Sequence, residues 1–450
     1  MLRHITRPKL KVIWSRFSLP RLDGSFSKYS NLVSSPIKIK DYNSSYISIE
    51  FQDSDGSNVT NFSNFFLRDS CSLHNISIDP SSGQKLFTTG KIPTDIKPAK
   101  EPLIVQSENG DFFLKIQWDE VGLIGKESLY SADFLKKYSV FEKRRRGKVF
   151  YQDKLFWDHQ LISKASQEIN FNYKDYMDNE NDFFCALKSI NKYGLCFINN
   201  IPQQLFNSGS SNEWFIEKIA NRIGYIRETF YGKLFDVKSI PDAKNIAYTN
   251  NFLPLHMDLL YYEAPPGLQL LHSIKNKTFG GENIFLDSFH AATYIKEKDP
   301  QAFLALTTIP IAYQYHNDGE FYYYERPLIV EHDTVDYSTG SQIIKEVNYS
   351  PPFQAPFESG SVVEGKGDLL KDYIRGIKLF ENFINDPTNQ YQLKMQENSC
   401  VIFDNRRVLH SRNAFEYGES KDQQERWLKG CYLDTDTFMS RLRVYHEKLN

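Results

Sequence analysis

From residue 176 onward helical stretches come first and strands come after, and that order narrows the fold more than any other feature. The stretch NDFFCALKSINKYG ends at Gly194 and passes into the apolar LCFI, while SNEWFIEKIANRIG follows and ends at Gly224. Apolar residues at helical spacing, closed by a glycine, predict two helices. Beyond residue 225, alternation and turn residues predict strands to the C-terminus, with one clear helical interruption at DLLKDYIRGIKLFENFIND. No internal repeat or low-complexity block interrupts the pattern. Helices followed by many unevenly spaced strands predict a mainly β architecture with flanking helices, a sandwich or jelly roll, over residues 176–450.

Three different textures precede it. Residues 43–125 read as short strands with turn signals at Asp55-Gly56 and Asn109-Gly110, a small β-rich N-terminal domain. Phe65, Phe66, Leu114, Ile116 and Trp118 are its expected core members. Residues 126–175 read as a linker, and its run Lys143-Arg144-Arg145-Arg146 as a solvated stretch rather than an anion or lipid contact. Residues 1–40 carry nine Lys/Arg, seven serines and one acid, Asp23, which predicts a transit peptide for the mitochondrial matrix; a disordered basic tail is the alternative.

Composition excludes several classes. Fifty-four basic against 56 acidic side chains give a net charge of −2, which argues against a nucleic-acid binder, since phosphate contacts demand a basic surplus. No uninterrupted apolar run is long enough for a membrane-spanning helix. The cysteines Cys71, Cys185, Cys196, Cys400 and Cys431 form neither a disulfide framework nor a CxxC pattern, as expected of a reducing compartment.

The chemistry sits in two strand-like stretches. LPLHMDLLYYEAPPG places His256 and Asp258 at i and i+2, so that in extended backbone both project from one face. An imidazole and a carboxylate so placed can hold two corners of one metal ion. His410, in SCVIFDNRRVLHSRNAF, is the candidate third ligand, completing a 2-His-1-carboxylate set with open positions for non-haem Fe(II) chemistry. Arg426, in QQERWLKGCYLD, offers a guanidinium fork for the carboxylate of an acidic cosubstrate. A second copy of the short pattern, His316-Asn317-Asp318 before Gly319, reads as a polar hairpin turn.

In their wider context, IAYTNNFLPLHMDLLYYEAPPGLQLLHSIKNKTFGGENIFLDSF and FDNRRVLHSRNAF…ERWLKGCYLDTDTFMSRLRV resemble the γ-butyrobetaine/trimethyllysine dioxygenase family of 2-oxoglutarate-dependent oxygenases, in a fungal-type mitochondrial member. The resemblance runs from about Ile47 to Arg443. It implies a double-stranded β-helix (jelly-roll) catalytic domain behind a small β-rich domain, Fe(II), O2 and 2-oxoglutarate with ascorbate as reductant, and a homodimer. It implies iron ligation by His256, Asp258 and His410, and 2-oxoglutarate binding by Arg426 with Asn283 in support. The family holds a quaternary ammonium in an aromatic box, and Tyr231, Phe235, Tyr248 and Tyr432 fall at box positions, with Phe235 where tryptophan is usual. Asn245 matches the asparagine of butyrobetaine hydroxylases where trimethyllysine enzymes carry an acid, and Asn348 is a weaker candidate for substrate contact.

The chain departs from the family at a zinc site. After LRD, Cys71 is present but Leu73 and Ile76 stand where further thiolates belong, so no structural zinc is expected. The resemblance implies hydroxylation of γ-butyrobetaine to L-carnitine. Trimethyllysine or another small acid is the alternative substrate, and a non-catalytic structural or interaction role is the alternative from another class.

Overall fold

The computed structural model describes residues 35–53, 56–140, 144, 147–204, 213–238, 249–317, 319–336, 341–360, 367–416 and 426–449. Residues 1–34, most of the basic run at 143–146, and the expected site residues Asn245 and Tyr248 lie outside them. The chain divides into two compact units, Met1–Arg144 and Arg145–Asn450.

In the first unit, β1 (Ile37–Tyr42), β2 (Tyr46–Asp53) and β3 (Gly56–Ser63) form one antiparallel sheet, and β4 (Leu103–Gln106), β5 (Phe112–Ile116) and β6 (Ser128–Ser131) another. The expected transit segment 1–40 therefore runs into a folded strand, where Ile37 is buried. Leu114, Ile116 and Trp118 are core residues as expected, and Phe66 packs against them. Phe65 instead points outward at 44% exposure, because adjacent residues of the helix Asn64–Asp69 face directions about 100° apart. Leu73 and Ile76 pack against the same core, and Cys71 Sγ lies 3.2 Å from both Ser77 Oγ and Ser128 Oγ.

The segment 126–175, read as a linker, is folded. It supplies β6 and the helix Ala132–Tyr138 to the first unit, and the helices His159–Lys164 and Tyr173–Asp178 to the second. Its aromatic stretch is an anchor: Trp157 is buried and its indole N–H donates to the Tyr193 carbonyl at 2.6 Å.

The second unit contains β7 (Asn170–Asn172), β8 (Leu195–Asn199), β9 (Phe235–Lys238), β10 (Leu253–His256) and β11 (Leu268–Asn276). After them come β12 (Phe279–Gly280), β13 (Asn283–Asp287), β14 (Pro310–Asn317), β15 (Glu320–Pro327), β16 (Ile329–Asp336) and β17 (Ser341–Val347). The last are β18 (Gln390–Leu393), β19 (Ser399–Asp404), β20 (Val408–Arg412), β21 (Phe415–Glu416) and β22 (Arg426–Leu433). Six strands pair in the order β7-β8-β19-β11-β22-β9, and four in the order β10-β20-β13-β18.

Alternation along the strands explains the layers. Leu195, Phe197, Leu271, Val401, Phe403 and Leu428 of the larger sheet meet Phe285 of the smaller in one cluster. The alternate residues Cys196, Ile198, Leu270, Ile402 and Cys431 turn the other way, onto the helices Glu180–Tyr193, Phe215–Ile223 and Thr435–Leu449. Beyond the smaller sheet, Ile284, Leu286 and Leu409 pack on the helices Ser288–Lys298, Pro300–Thr308 and Gly367–Asn385. This is the mainly β architecture with flanking helices that the strand pattern predicted, in the double-stranded β-helix form that the resemblance implied. Each fully buried large apolar side chain contributes about 1.5–3 kcal/mol.

Three helices exceed the single interruption expected after residue 225. Two carried a readable start signal: Asp287 caps one by accepting from Phe289 N, and Asp299 caps the next with Pro300 in its first turn. The pattern His316-Asn317 ends β14, pairing with Phe321 and Glu320 of β15, with Gly319 at φ +81° in the connection, as the hairpin reading predicted.

One ion pair lies wholly inside this unit. Arg407 and Asp287 are both fully buried and joined by two bonds, Nε–Oδ1 at 3.0 Å and a second guanidinium nitrogen to Oδ2 at 2.7 Å. Arg407 also donates to the carbonyls of Leu155 and Lys192, and Asp287 accepts from the backbone N–H of Trp157 and Phe289. Truncating one partner leaves the other charged and unsolvated. Arg407→Leu is therefore expected to cost about 3–5 kcal/mol in chemical denaturation, and the double variant with Asp287→Leu to recover part of that loss.

His272, on β11, is also fully buried, and neither ring nitrogen has a hydrogen-bond partner among the described residues. Burial pushes its pKa down from the ordinary 6.5 to about 4. Below 6.5 the unfolded chain takes up a proton that the folded chain refuses, so stability falls as pH drops from 6.5 towards 4. The His272 share of that loss is on the order of 3 kcal/mol, and His272→Leu is expected to flatten the denaturation midpoint across the same window.

Candidate active site

His256 closes β10 and His410 lies in β20, and the two are cross-strand partners in the smaller sheet. Their ring centroids are 4.1 Å apart. Asp258 stands just beyond the end of β10, not in the strand, where Leu259 adopts φ +59° and turns the chain. The turn brings Asp258 Oδ1 to 3.4 Å from His256 Nε2. One ligand atom from each of His256, Asp258 and His410 lies within 4.8 Å of the others, the single such cluster among the described residues.

The protonation states suit a cation. His256 Nδ1 is 2.8 Å from the Pro254 carbonyl and donates to it, which turns Nε2 towards Asp258. Burial and the neighbouring His256 push His410 down to about 3, holding it neutral. Burial would raise the Asp258 carboxyl, but the His256 hydrogen bond, the His410 and His256 imidazoles and the Tyr432 hydroxyl together hold it well below the ordinary carboxylate range. Two imidazoles and one carboxylate form the donor set of a facial Fe(II) site with open positions. Fe(II) with 2-oxoglutarate as cosubstrate fits this centre.

Neighbouring residues fix the geometry. The side-chain amide of Asn405 accepts from Asp258 N and donates to the Asp258 carbonyl, both at 2.9 Å. Tyr432 donates its hydroxyl to Asp258 Oδ2 at 2.7 Å. Tyr432 was expected only as an aromatic wall, but it also orients the carboxylate.

A cavity opens over the cluster. Of the residues expected there, Tyr231, Phe235, His256, Asp258, Asn283, His410, Arg426 and Tyr432 all line it. Tyr231 and Phe235 are 6.3 Å apart between centroids, and Phe235 stacks on Tyr432 at 5.0 Å with 25° between planes. Arg426 and Arg412 approach the Phe415 ring to 5.4 and 5.0 Å, and Asn283 is the strand partner of Arg412. Asn348 does not join the lining: it is buried, donating to the Pro327 carbonyl and accepting from Arg406.

Residues absent from the sequence reading also face the cavity, among them Arg412, Gln269, Tyr261 and Phe353. Two of these had a signal. Arg412 stands two residues after His410 in one strand, hence on the same face, and Gln269 interrupts an otherwise apolar strand on the face shared with Leu271. Tyr432→Phe keeps the ring and removes the bond to Asp258. It is expected to weaken Fe(II) binding by about 10–100-fold in a metal titration, with the melting temperature little changed.

The chain matches the profile of the Taurine catabolism dioxygenase TauD, TfdA family over residues 158–432. It is 36% identical over 383 residues to Dioxygenase str8 of Strobilurus tenacellus, covering 84% of each chain. It is 27% identical to a Trimethyllysine dioxygenase of Meyerozyma guilliermondii over 90% of this chain and 94% of that one. To the Gamma-butyrobetaine dioxygenase of Homo sapiens it is 25% identical over 85% and 91%. The profile spans both sheets and all three residues of the metal cluster, and the chain therefore belongs to the TauD, TfdA family of dioxygenases.

Proposed function

We propose that this dioxygenase hydroxylates a small trimethylammonium carboxylate, with γ-butyrobetaine, giving L-carnitine, as its substrate. The observation that carries the reading is the convergence of Tyr231, Phe235 and Tyr432 beside the His256–Asp258–His410 cluster in one cavity. A quaternary ammonium offers no hydrogen-bond donor, so ring faces are its suitable partners, each worth about 0.5–2 kcal/mol.

In this reading His256, Asp258 and His410 hold Fe(II). When bound, Fe(II) with 2-oxoglutarate supplies oxidative decarboxylation to succinate and CO2 coupled to insertion of one oxygen of O2 into a C–H bond. Arg426 forks onto the far carboxylate of 2-oxoglutarate, with Asn283 beside it, and Asn405 and Tyr432 keep Asp258 in place. Val237, Leu253, Leu271 and Leu428 exclude water from the reacting face. The resemblance assigns Tyr248 to the aromatic box and Asn245 to the substrate carboxylate, both outside the described residues. Phe235, where the family usually has tryptophan, supports the second reading, trimethyllysine. The basic, serine-rich N-terminus supports delivery to the mitochondrial matrix.

The test is succinate formation by the chain lacking residues 1–34, with Fe(II), ascorbate and 2-oxoglutarate, against γ-butyrobetaine and trimethyllysine in parallel. Turnover dependent on γ-butyrobetaine and lowered by more than about 10²-fold in His256→Ala is expected. Turnover with trimethyllysine alone rejects the Asn245 argument and keeps the dioxygenase. Absence of both turnover and bound iron transfers the reading to a non-catalytic role.

A further inference from the structure

Gly430 sits in the middle of β22, where glycine weakens a strand by about 0.5–1 kcal/mol relative to alanine. Its backbone does not need glycine, because it is not among the residues of positive φ. The reason is across the strand pair. Gly430 is the partner of Phe235 in β9, and a Cβ built at Gly430 would overlap the outer edge of the Phe235 ring.

The alternate residues Arg426, Leu428 and Tyr432 all line the cavity, so a side chain at Gly430 would point the same way. In its place the outer edge of the Phe235 ring reaches over Gly430, and the ring stacks on Tyr432, whose hydroxyl holds Asp258. Phe235 is packed against the cluster between the sheets and against the cluster beneath the helices. Leu428 and Tyr432, on the same face of β22 as Gly430, line the cavity that Phe235 also lines, so a Cβ at Gly430 pushes the ring off the strand on the cavity side.

We infer that Gly430 is a specificity-determining position: by having no side chain it keeps the Phe235 ring against the strand and so reserves the cavity wall for a rounded, methyl-bearing head group. The inference deepens the trimethylammonium reading and rests on it for the identity of that group, but not for the packing. Gly430 acts through Phe235 and is a positioning residue.

A double-variant cycle of Gly430→Ala and Phe235→Ala tests it with two readouts. In the Phe235 background, Gly430→Ala is expected to raise KM for the trimethylammonium substrate by about tenfold or more, with KM for 2-oxoglutarate and Fe(II) affinity held within about twofold. In the Phe235→Ala background the same substitution is expected to change KM by less than about twofold. The melting temperature reads the contact whatever the substrate: Gly430→Ala is expected to lower it with Phe235 present and not with Ala there. Equal effects in the two backgrounds, or a parallel rise in KM for 2-oxoglutarate, would overturn the inference. Should the parent protein turn over neither γ-butyrobetaine nor trimethyllysine, the head-group assignment fails, and the melting cycle still decides whether Gly430 positions Phe235.

Discussion

The buried pair of Arg407 and Asp287 is the constraint on which the rest of the catalytic unit depends. Two opposite charges out of water are tolerable only when every donor and acceptor is used. Here the guanidinium satisfies the carboxylate and the carbonyls of Leu155 and Lys192, so one side chain ties β13, the segment before the first long helix and the end of that helix to the turn between β19 and β20. The residues before it act similarly. Arg406 bonds Asn348 and Glu346, and Asn405 bonds the backbone of Asp258. Of these three consecutive residues, Asn405 fastens the turn leading to His410 to the loop carrying Asp258, while Arg406 and Arg407 anchor the same turn to β17 and β13.

That fastening explains how a metal cluster can be assembled from residues more than 150 positions apart. His256 and His410 are set by strand pairing, but Asp258 lies outside the ladder and depends on Asn405 and Tyr432 for its place. The charge logic follows from burial. His410 is held neutral and Asp258 ionised, which are the states a divalent cation requires. Beyond the cluster the cavity is asymmetric, with arginines at the end near Phe415 and rings at the end near Phe235. An anion and an apolar cation would find complementary surroundings at opposite ends.

Much of this was legible in the linear text. The order of helices and strands announced the layers, because burial on one or both faces imposes a period on the sequence. The residues His256, Asp258, His410 and Arg426 stood out through the i, i+2 spacing of an imidazole and a carboxylate and through the longer motifs that resemble the dioxygenase family. Phe65 was misplaced, since two adjacent phenylalanines at a short helix look equally apolar and only the helix rotation separates them. Residues 126–175 looked like a linker because their anchors, Trp157 above all, find their partners far away in sequence. Asn348 looked available to a substrate, yet Arg406 and the Pro327 carbonyl take its amide.

The sequence by itself determined the fold class and the residue types of the candidate metal cluster, because periodicity and side-chain chemistry are local properties that survive without coordinates, and its long motifs determined the family by resemblance. The tertiary structure alone decided which groups work together: the second task of Tyr432, the approach of Arg412 to the Arg426 end, and the contact that makes a glycine at position 430 intelligible. These are distances between strands, set by register and packing, and no spacing along one chain encodes them.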